Sequence, residues 1–199
     1  MLELFKIAWR SPREAVHYVN EHSFKAYWVV LFLAGFGNLI FGMMDDNGHI
    51  STTNILIALV IAIPSLWLSA VVAGFFTHFI AKWLFKGTGT FKEMRKGYYV
   101  SFLPYVIAAP LALIYIIIEK TASFNLSGIT LIISLIVIVL SIVTLVLEVI
   151  VISEVEGLSI GRSIGVLVVL IILLFIFVFV IIIAIAAVLM IIGVSTNGI

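Results

Sequence analysis

The residues most able to do chemistry lie within long apolar runs. Ser134, Ser141 and Glu148 recur every seven positions, with Thr144 close to the same stripe, so one helix face collects them. Such a face looks into a bundle rather than at lipid, and a carboxylate there is costly enough to suggest a site. His78 stands one turn before Lys82 and can act as a proton relay with Glu148. The favoured reading is structural: Glu148 sits near the end of its run and pairs with His78, Lys82 or another base at that depth. Asn38 has an interhelical hydrogen bond as its default role. Ser65, Ser69, Ala73 and Thr77, four apart, form a small-residue seam that lets another helix approach, with Ala70 and Gly74 extending the face. A substrate route between this seam and the Glu148 stripe is the sharper alternative to plain packing.

Elsewhere the signals are weaker. Asp45, Asp46 and His49 bring three donors together as weak metal candidates, but Asp-Asp-Asn-Gly also reads as a solvated turn, the favoured interpretation. Glu154 and Glu156 suit a polar loop. Gly87-Thr88-Gly89 lacks the Walker spacing and the following Lys-Ser/Thr of a phosphate-binding loop. No His-Glu-x-x-His pair and no plausible Ser–His–Asp set occurs, and there is no cysteine, so neither catalysis nor a cofactor is expected.

The elements that carry these residues are membrane spans. The chain has 199 residues, 64% of them hydrophobic and 11% charged, with mean hydropathy +1.33. A water-soluble core of this size cannot hide that excess, which excludes a soluble enzyme, a disordered chain and a nucleic-acid binder. A bilayer core of about 30 Å takes about 20 helical residues, and segments 26–44, 55–85, 98–118, 129–152 and 164–192 meet that length. The expected fold is an all-α integral membrane protein. Residues 1–199 form one domain, a bundle of five transmembrane helices preceded by a short interfacial amphipathic helix built on Leu2, Phe5 and Trp9.

Local punctuation supports these bounds. Ser11-Pro12-Arg13-Glu14 and Thr90-Phe91-Lys92-Glu93 both read as capping boxes, and Asn47-Gly48 marks a turn. Gly157 ends the fourth span in a left-handed conformation, and Ser159 caps the fifth. Pro64, Pro104 and Pro110 predict kinks, and the second span must tilt about Pro64 or protrude at Lys82–Phe85.

The net charge of +1 conceals a strong asymmetry. Lys6, Arg10, Arg13, Lys25, Lys82, Lys86, Lys92, Arg95, Lys96 and Arg162 fall on one side of the spans, and only Lys120 on the other. The positive-inside rule puts the N-terminus in the cytoplasm and the C-terminus outside. Trp9, Tyr27, Trp28, Trp83, Tyr98 and Tyr99 form an aromatic belt at the inner interface, and Lys82, Lys86, Lys92, Arg95 and Lys96 make a basic inner surface.

Several of these features, in this order, resemble the Yip1 domain family. Ser11-Pro12-Arg13-Glu14-Ala15 looks like the Pro-Arg-Glu segment before the first span of prokaryotic members. Gly87-Thr88-Gly89-Thr90-Phe91-Lys92-Glu93, then Gly97-Tyr98 and Pro104, is similar to that family's Gly-rich loop and its Gly-Tyr…Pro approach to span three, and Gly157-Leu158-Ser159 resembles its last connection. The resemblance implies five spans. It also implies a non-enzymatic role organising or assisting other membrane components in a bacterial or archaeal cytoplasmic membrane. The implied partners are the lipid bilayer and other membrane proteins, including a second copy in a homo-oligomer. About two dozen residues precede span one and no Asp-Leu-Tyr-Gly-Pro occurs, which argues against the Rab-type GTPase binding of eukaryotic relatives. The alternatives are a small transporter, channel subunit or lipid-moving protein using Glu148 and His78, and an accessory subunit of an export complex.

Overall fold

The structure is a computed structural model that describes residues 3–45, 49–121 and 127–196. Every regular element among them is helical. The helices are α1 (Glu3–Arg10), α2 (Pro12–Glu21), α3 (Trp28–Gly42), α4 (Thr52–Phe85), α5 (Phe91–Ser101), α6 (Ala108–Thr121), α7 (Ser127–Glu156) and α8 (Ile160–Thr196). Two 3₁₀ turns, Phe24–Ala26 and Leu103–Val106, precede α3 and separate α5 from α6.

Three helices are long and apolar enough to cross a bilayer by themselves: Thr52–Phe85, Gly128–Glu156 and Ile160–Val188. The third expected span is broken. Phe91–Val106 and Ala108–Thr121 meet at a 40° bend, and together they are long and apolar enough to make a fourth crossing. Pro104 has no N–H for the carbonyl of Val100 and so converts the helix locally into the 3₁₀ turn. Pro110 sits in the first turn of α6, where an N–H would lack a helical partner anyway. The first expected span, 26–44, contracts to the 15 residues of α3, about 22 Å at 1.5 Å per residue. At its start Tyr27 leaves helical geometry (φ −137°), and at its end the Met43 N–H bonds both Leu39 and Ile40. By length and composition three of the described helices, or four counting the bent pair as one, are able to span a bilayer.

The remaining boundaries divide. Thr90 and Glu93 form the expected capping box: Thr90 Oγ1 accepts from Glu93 N (3.3 Å) and Glu93 Oε2 accepts from Thr90 N (3.0 Å). Ser11 does not. Its side chain caps nothing, and its own N–H donates to the Ile7 carbonyl (2.7 Å), so α2 follows α1 almost without a break. The interfacial helix is also more than an anchor, because Leu4 and Ala8 of α1 are buried in the same core as Val16, Val19, Tyr98 and Val151. α4 runs unbroken through Pro64 for 34 residues, about 51 Å, so it overshoots the bilayer core. The Asn47-Gly48 turn lies outside the described residues.

Packing depends on close backbone approach. A Cβ on Gly35 would lie 2.4 Å from the Ala62 carbonyl oxygen, and one on Gly37 2.6 Å from the Ala109 nitrogen. These glycines point to opposite faces of α3, which is thus gripped between α4 and α6. The buried stripe of α4 runs through Ala58, Ala62, Leu66, Ala70, Gly74 and Thr77. It includes the expected Ala70, Gly74 and Thr77 but runs one residue to the side of Ser65, Ser69 and Ala73, about 100° around the helix at each. Ser69 is exposed, Ser65 and Ala73 are half-buried, and Ser65 Oγ donates to its own helix at the Ala62 carbonyl (3.0 Å). A hydroxyl satisfied in this way gains nothing from a neighbour, whereas alanine and glycine let the backbones meet. The stripe faces α3 and α5 rather than the polar stripe of α7: Gly74 abuts Arg95, and Thr77 bonds Tyr98. α8 packs through Ser163, Val166 and Leu167 near its start, where Gly165 meets the Phe85 ring. Beyond, its large apolar side chains are exposed, as a lipid-facing helix requires.

The bundle has two distinct ends. At one, His17 meets Glu154, Lys96 donates to the Asn20 and His22 carbonyls, and the α4–α5 loop meets the end of α7. At the other, His49 meets Glu119, and Lys120 donates to the Ile50 carbonyl. The ten-to-one division of basic residues is the division between these ends.

Candidate functional site

The densest polar assembly lies at the basic end, where the Gly-rich loop closes on the end of α7. Glu156 is fully buried, and its Oε1 lies 2.7 Å from Nδ1 of His78, whose side chain is 16% exposed. A carboxylate only accepts, so Nδ1–H donates. Oε2 accepts the Gly89 N–H at 3.1 Å, and the Glu156 main-chain carbonyl accepts the Thr88 N–H at 3.0 Å.

Local sequence makes this possible. A Cβ on Gly87 would sit 2.4 Å from Glu156 Oε2, and one on Gly89 2.3 Å from the Val155 carbonyl oxygen. Only glycine lets the loop come so near. The Gly87 N–H closes α4 by bonding the Ala81 carbonyl, leaving Lys86 in the left-handed region (φ 60°) that glycine usually takes. Gly157, φ 63°, then turns the chain so that Leu158 N–H reaches the Ser153 carbonyl (3.1 Å). The Gly-rich loop does cradle an anion, and that anion is the chain's own carboxylate.

Glu154 and Glu156, expected as a polar loop, instead belong to this end's tertiary structure. Glu154 takes His17 Nε2 at 3.0 Å and Arg13 Nε at 3.6 Å, tying α2 to α7. The buried positions 140, 144, 147, 151 and 152 continue at helical spacing to 156, so the last turn of α7 points it inward; α7 is apolar on nearly every face, so residue type alone does not mark that stripe.

Glu148 is half-buried and makes no hydrogen bond or ion pair with any described residue; Tyr98 is its electrostatic neighbour. The expected partner, His78, is taken by Glu156. The other stripe residues separate. Tyr105 donates its hydroxyl to Ser141 Oγ (3.0 Å), which donates to the Val137 carbonyl (2.8 Å). Thr144 is buried, and its Oγ1 has no hydrogen-bond partner among the described residues. Ser134 is exposed and bonds back to the Thr130 carbonyl (2.9 Å), which removes any need to face the bundle. Asn38 is exposed and makes no interhelical bond with the described residues, since the gripped faces of α3 carry Gly35 and Gly37. The tyrosines, unremarkable in the sequence except as belt, do the fastening: Tyr98 bonds Thr77 at 2.6 Å, and Tyr115 bonds Thr130 at 3.2 Å. Tyr27, Tyr98 and Tyr99 are buried, so the aromatic belt reduces to the exposed Trp9, Trp28 and Trp83.

At the opposite end, Asp45 Oδ1 accepts the His49 N–H (2.7 Å) and the Asp45 N–H returns to the His49 carbonyl (3.1 Å), closing a turn. His49 Nδ1 lies 3.3 Å from Oε1 of Glu119, a side chain 5% exposed that Lys120 also meets at 3.0 Å. Asp46 lies outside the described residues, and among those described no three His, Asp or Glu side chains form a group able to hold a metal. The basic surface divides as well. Lys82, Lys86 and Lys92 are exposed, Arg95 is half-buried against Gly74, and Lys96 is spent on the α2 carbonyls.

A family model for the Yip1 domain matches residues 6–182, which run from α1 well into α8. The chain belongs to the Yip1 family. No curated protein and no solved structure matches it. The Yip1 match and the apolar helices together make this a membrane protein, and the matched stretch contains both the loop around Glu156 and the exposed lysines beside it.

Proposed function

We propose that this Yip1-domain protein crosses the membrane five times and, with no enzymatic chemistry of its own, organises or assists other membrane components through its basic end. Five crossings are supported by the course of α3. It begins where Tyr27 meets the Tyr99 ring and ends near Ile50, which Lys120 holds at the far end. With the Phe24–Ala26 turn it makes a stretch of about 28 Å, close to the about 30 Å of a bilayer core. The positive-inside rule then sets the basic end in the cytoplasm. Pro12-Arg13-Glu14 favours a bacterial or archaeal membrane.

One observation carries the functional reading. His17, His78, Glu154 and Glu156 are spent on one another, while Lys82, Lys86 and Lys92 stay exposed without an ion pair to any described residue. A cluster of like charge at the end of α4 and the start of α5 is suited to steering and holding an acidic partner surface rather than to catalysis. A photo-crosslinker placed at Lys86 in native membranes should capture a membrane protein or a second copy. With the crosslinker kept at position 86, reversing Lys82 and Lys92 to glutamate should cut capture by about tenfold or more, because like charges across an interface repel. Unmodified protein that captures nothing would contradict the proposal. So would solute or lipid flux in proteoliposomes that Glu148→Gln abolishes, which would make the protein a carrier.

A further inference from the structure

A cleft of about 200 Å³ opens on the side of the bundle where α1 turns into α2. Ala8, Trp9 and Pro12 form one wall, Pro104 of the 3₁₀ turn the floor, and Val146 and Ile150 of α7 the other wall. Every residue lining it is apolar. It lies where α1, the start of α2, the Leu103–Val106 turn and α7 come together, and no described side chain fills the space. Val146 is exposed, so the cleft opens toward lipid rather than toward the core.

Its occupant is identified by what flanks it. Trp9, half-exposed at the mouth, marks the headgroup level of a bilayer. Three residues before it on α1, Lys6 stands about 60° around the helix from Trp9, and Arg10 follows it directly; both are exposed and neither forms an ion pair with a described residue. Arg13, next to Pro12, is 65% exposed and only loosely held by Glu154 at 3.6 Å. Glu3 and Glu14 are the acidic residues on these two helices nearest the mouth, and both are exposed. An apolar slot at membrane depth with cations at its headgroup end matches one ligand in charge and shape. We propose that the cleft holds an acyl chain of an anionic phospholipid whose phosphate is bound by Lys6 and Arg10.

The inference is tested with the full chain in nanodiscs containing phosphatidylglycerol or phosphatidylcholine, each with the same diazirine-bearing acyl chain. Photolabelling should fall on Val143, Val146, Ile150 or Leu103, and should favour the anionic lipid by about fivefold or more, the factor one basic residue contributes near an anionic headgroup. Val146→Trp, a change at an exposed position, should empty the cleft of label, and Ile150→Trp should do the same. Lys6→Glu with Arg10→Glu should abolish the preference between lipids. Equal labelling by the two lipids would overturn the proposal. Label spread over the outer face of α8 as strongly as over the cleft would also overturn it, and so would crosslinks from cleft positions to protein in place of lipid.

Discussion

Glu156→Ala is expected to destabilise the protein by about 3 kcal/mol and to release the loop between α4 and α5. Removing one partner from a buried ion pair costs about 3–5 kcal/mol when a charge stays behind. The lower end applies because the His78 side chain is 16% exposed and so keeps access to other partners when its acceptor is gone. The Gly89 N–H, which donates to Glu156 Oε2 at 3.1 Å, also loses its partner, and an unsatisfied buried donor costs about 1–3 kcal/mol by itself. Thermal unfolding in nanodiscs measures the total. Amide exchange locates it: residues 86–90 and 156–159 should lose protection together, since the Thr88 N–H to Glu156 carbonyl bond joins the two connections. Glu156→Gln keeps an oxygen acceptor in place and should be milder. Unchanged unfolding in the alanine variant would mean that the buried pair does not hold this end closed.

Gly37→Val should be comparably damaging for a different reason. Its Cβ would fall 2.6 Å from the Ala109 nitrogen and 2.8 Å from the Ala108 carbonyl carbon, both main-chain atoms of α6. A backbone cannot rotate away as a side chain does, so α3 and α6 must separate, and overpacking of this kind costs about 1–3 kcal/mol before lost contacts are counted. The Phe36–Ile40–Tyr115 region would loosen with it. Gly42→Ala supplies the control. Nothing lies within 4 Å of its would-be Cβ, so it should be neutral or should stabilise by about 0.5–1 kcal/mol through helix entropy. Loss of stability in both variants would point to the glycine backbone of α3 rather than to contact with α6.

Much of the architecture is written in residue type. Gly157 takes the left-handed turn that a glycine after a long apolar helix suggests, and Thr90 and Glu93 cap α5 reciprocally. The faces are harder to read. In water, a polar stripe marks which side of a helix is outside. In a bilayer, lipid and protein interior are both apolar, so the buried side of α4 differs from its lipid side only in side-chain size. For that reason a reading centred on Ser65 and Ser69 reached Ala70 and Gly74 but missed Ala58, Ala62 and Leu66. Glu156 escaped because an acidic residue beside Gly157 looks like a loop until the spacing of α7 is followed one turn further. The shortness of α3 was hidden because Ala26 and Tyr27 fit the start of a span equally well in a helix or at a 3₁₀ turn.

Which compartment can supply a partner depends on α3 carrying the chain from the basic end to the opposite side. The absence of native cysteine makes this directly measurable with single introduced cysteines and a membrane-impermeant maleimide in intact cells. His49→Cys should label from outside, whereas Lys25→Cys and Lys86→Cys should label only once the inner face is opened. Labelling of Lys25→Cys and His49→Cys from the same side would show that α3 does not cross and would overturn the five-crossing arrangement.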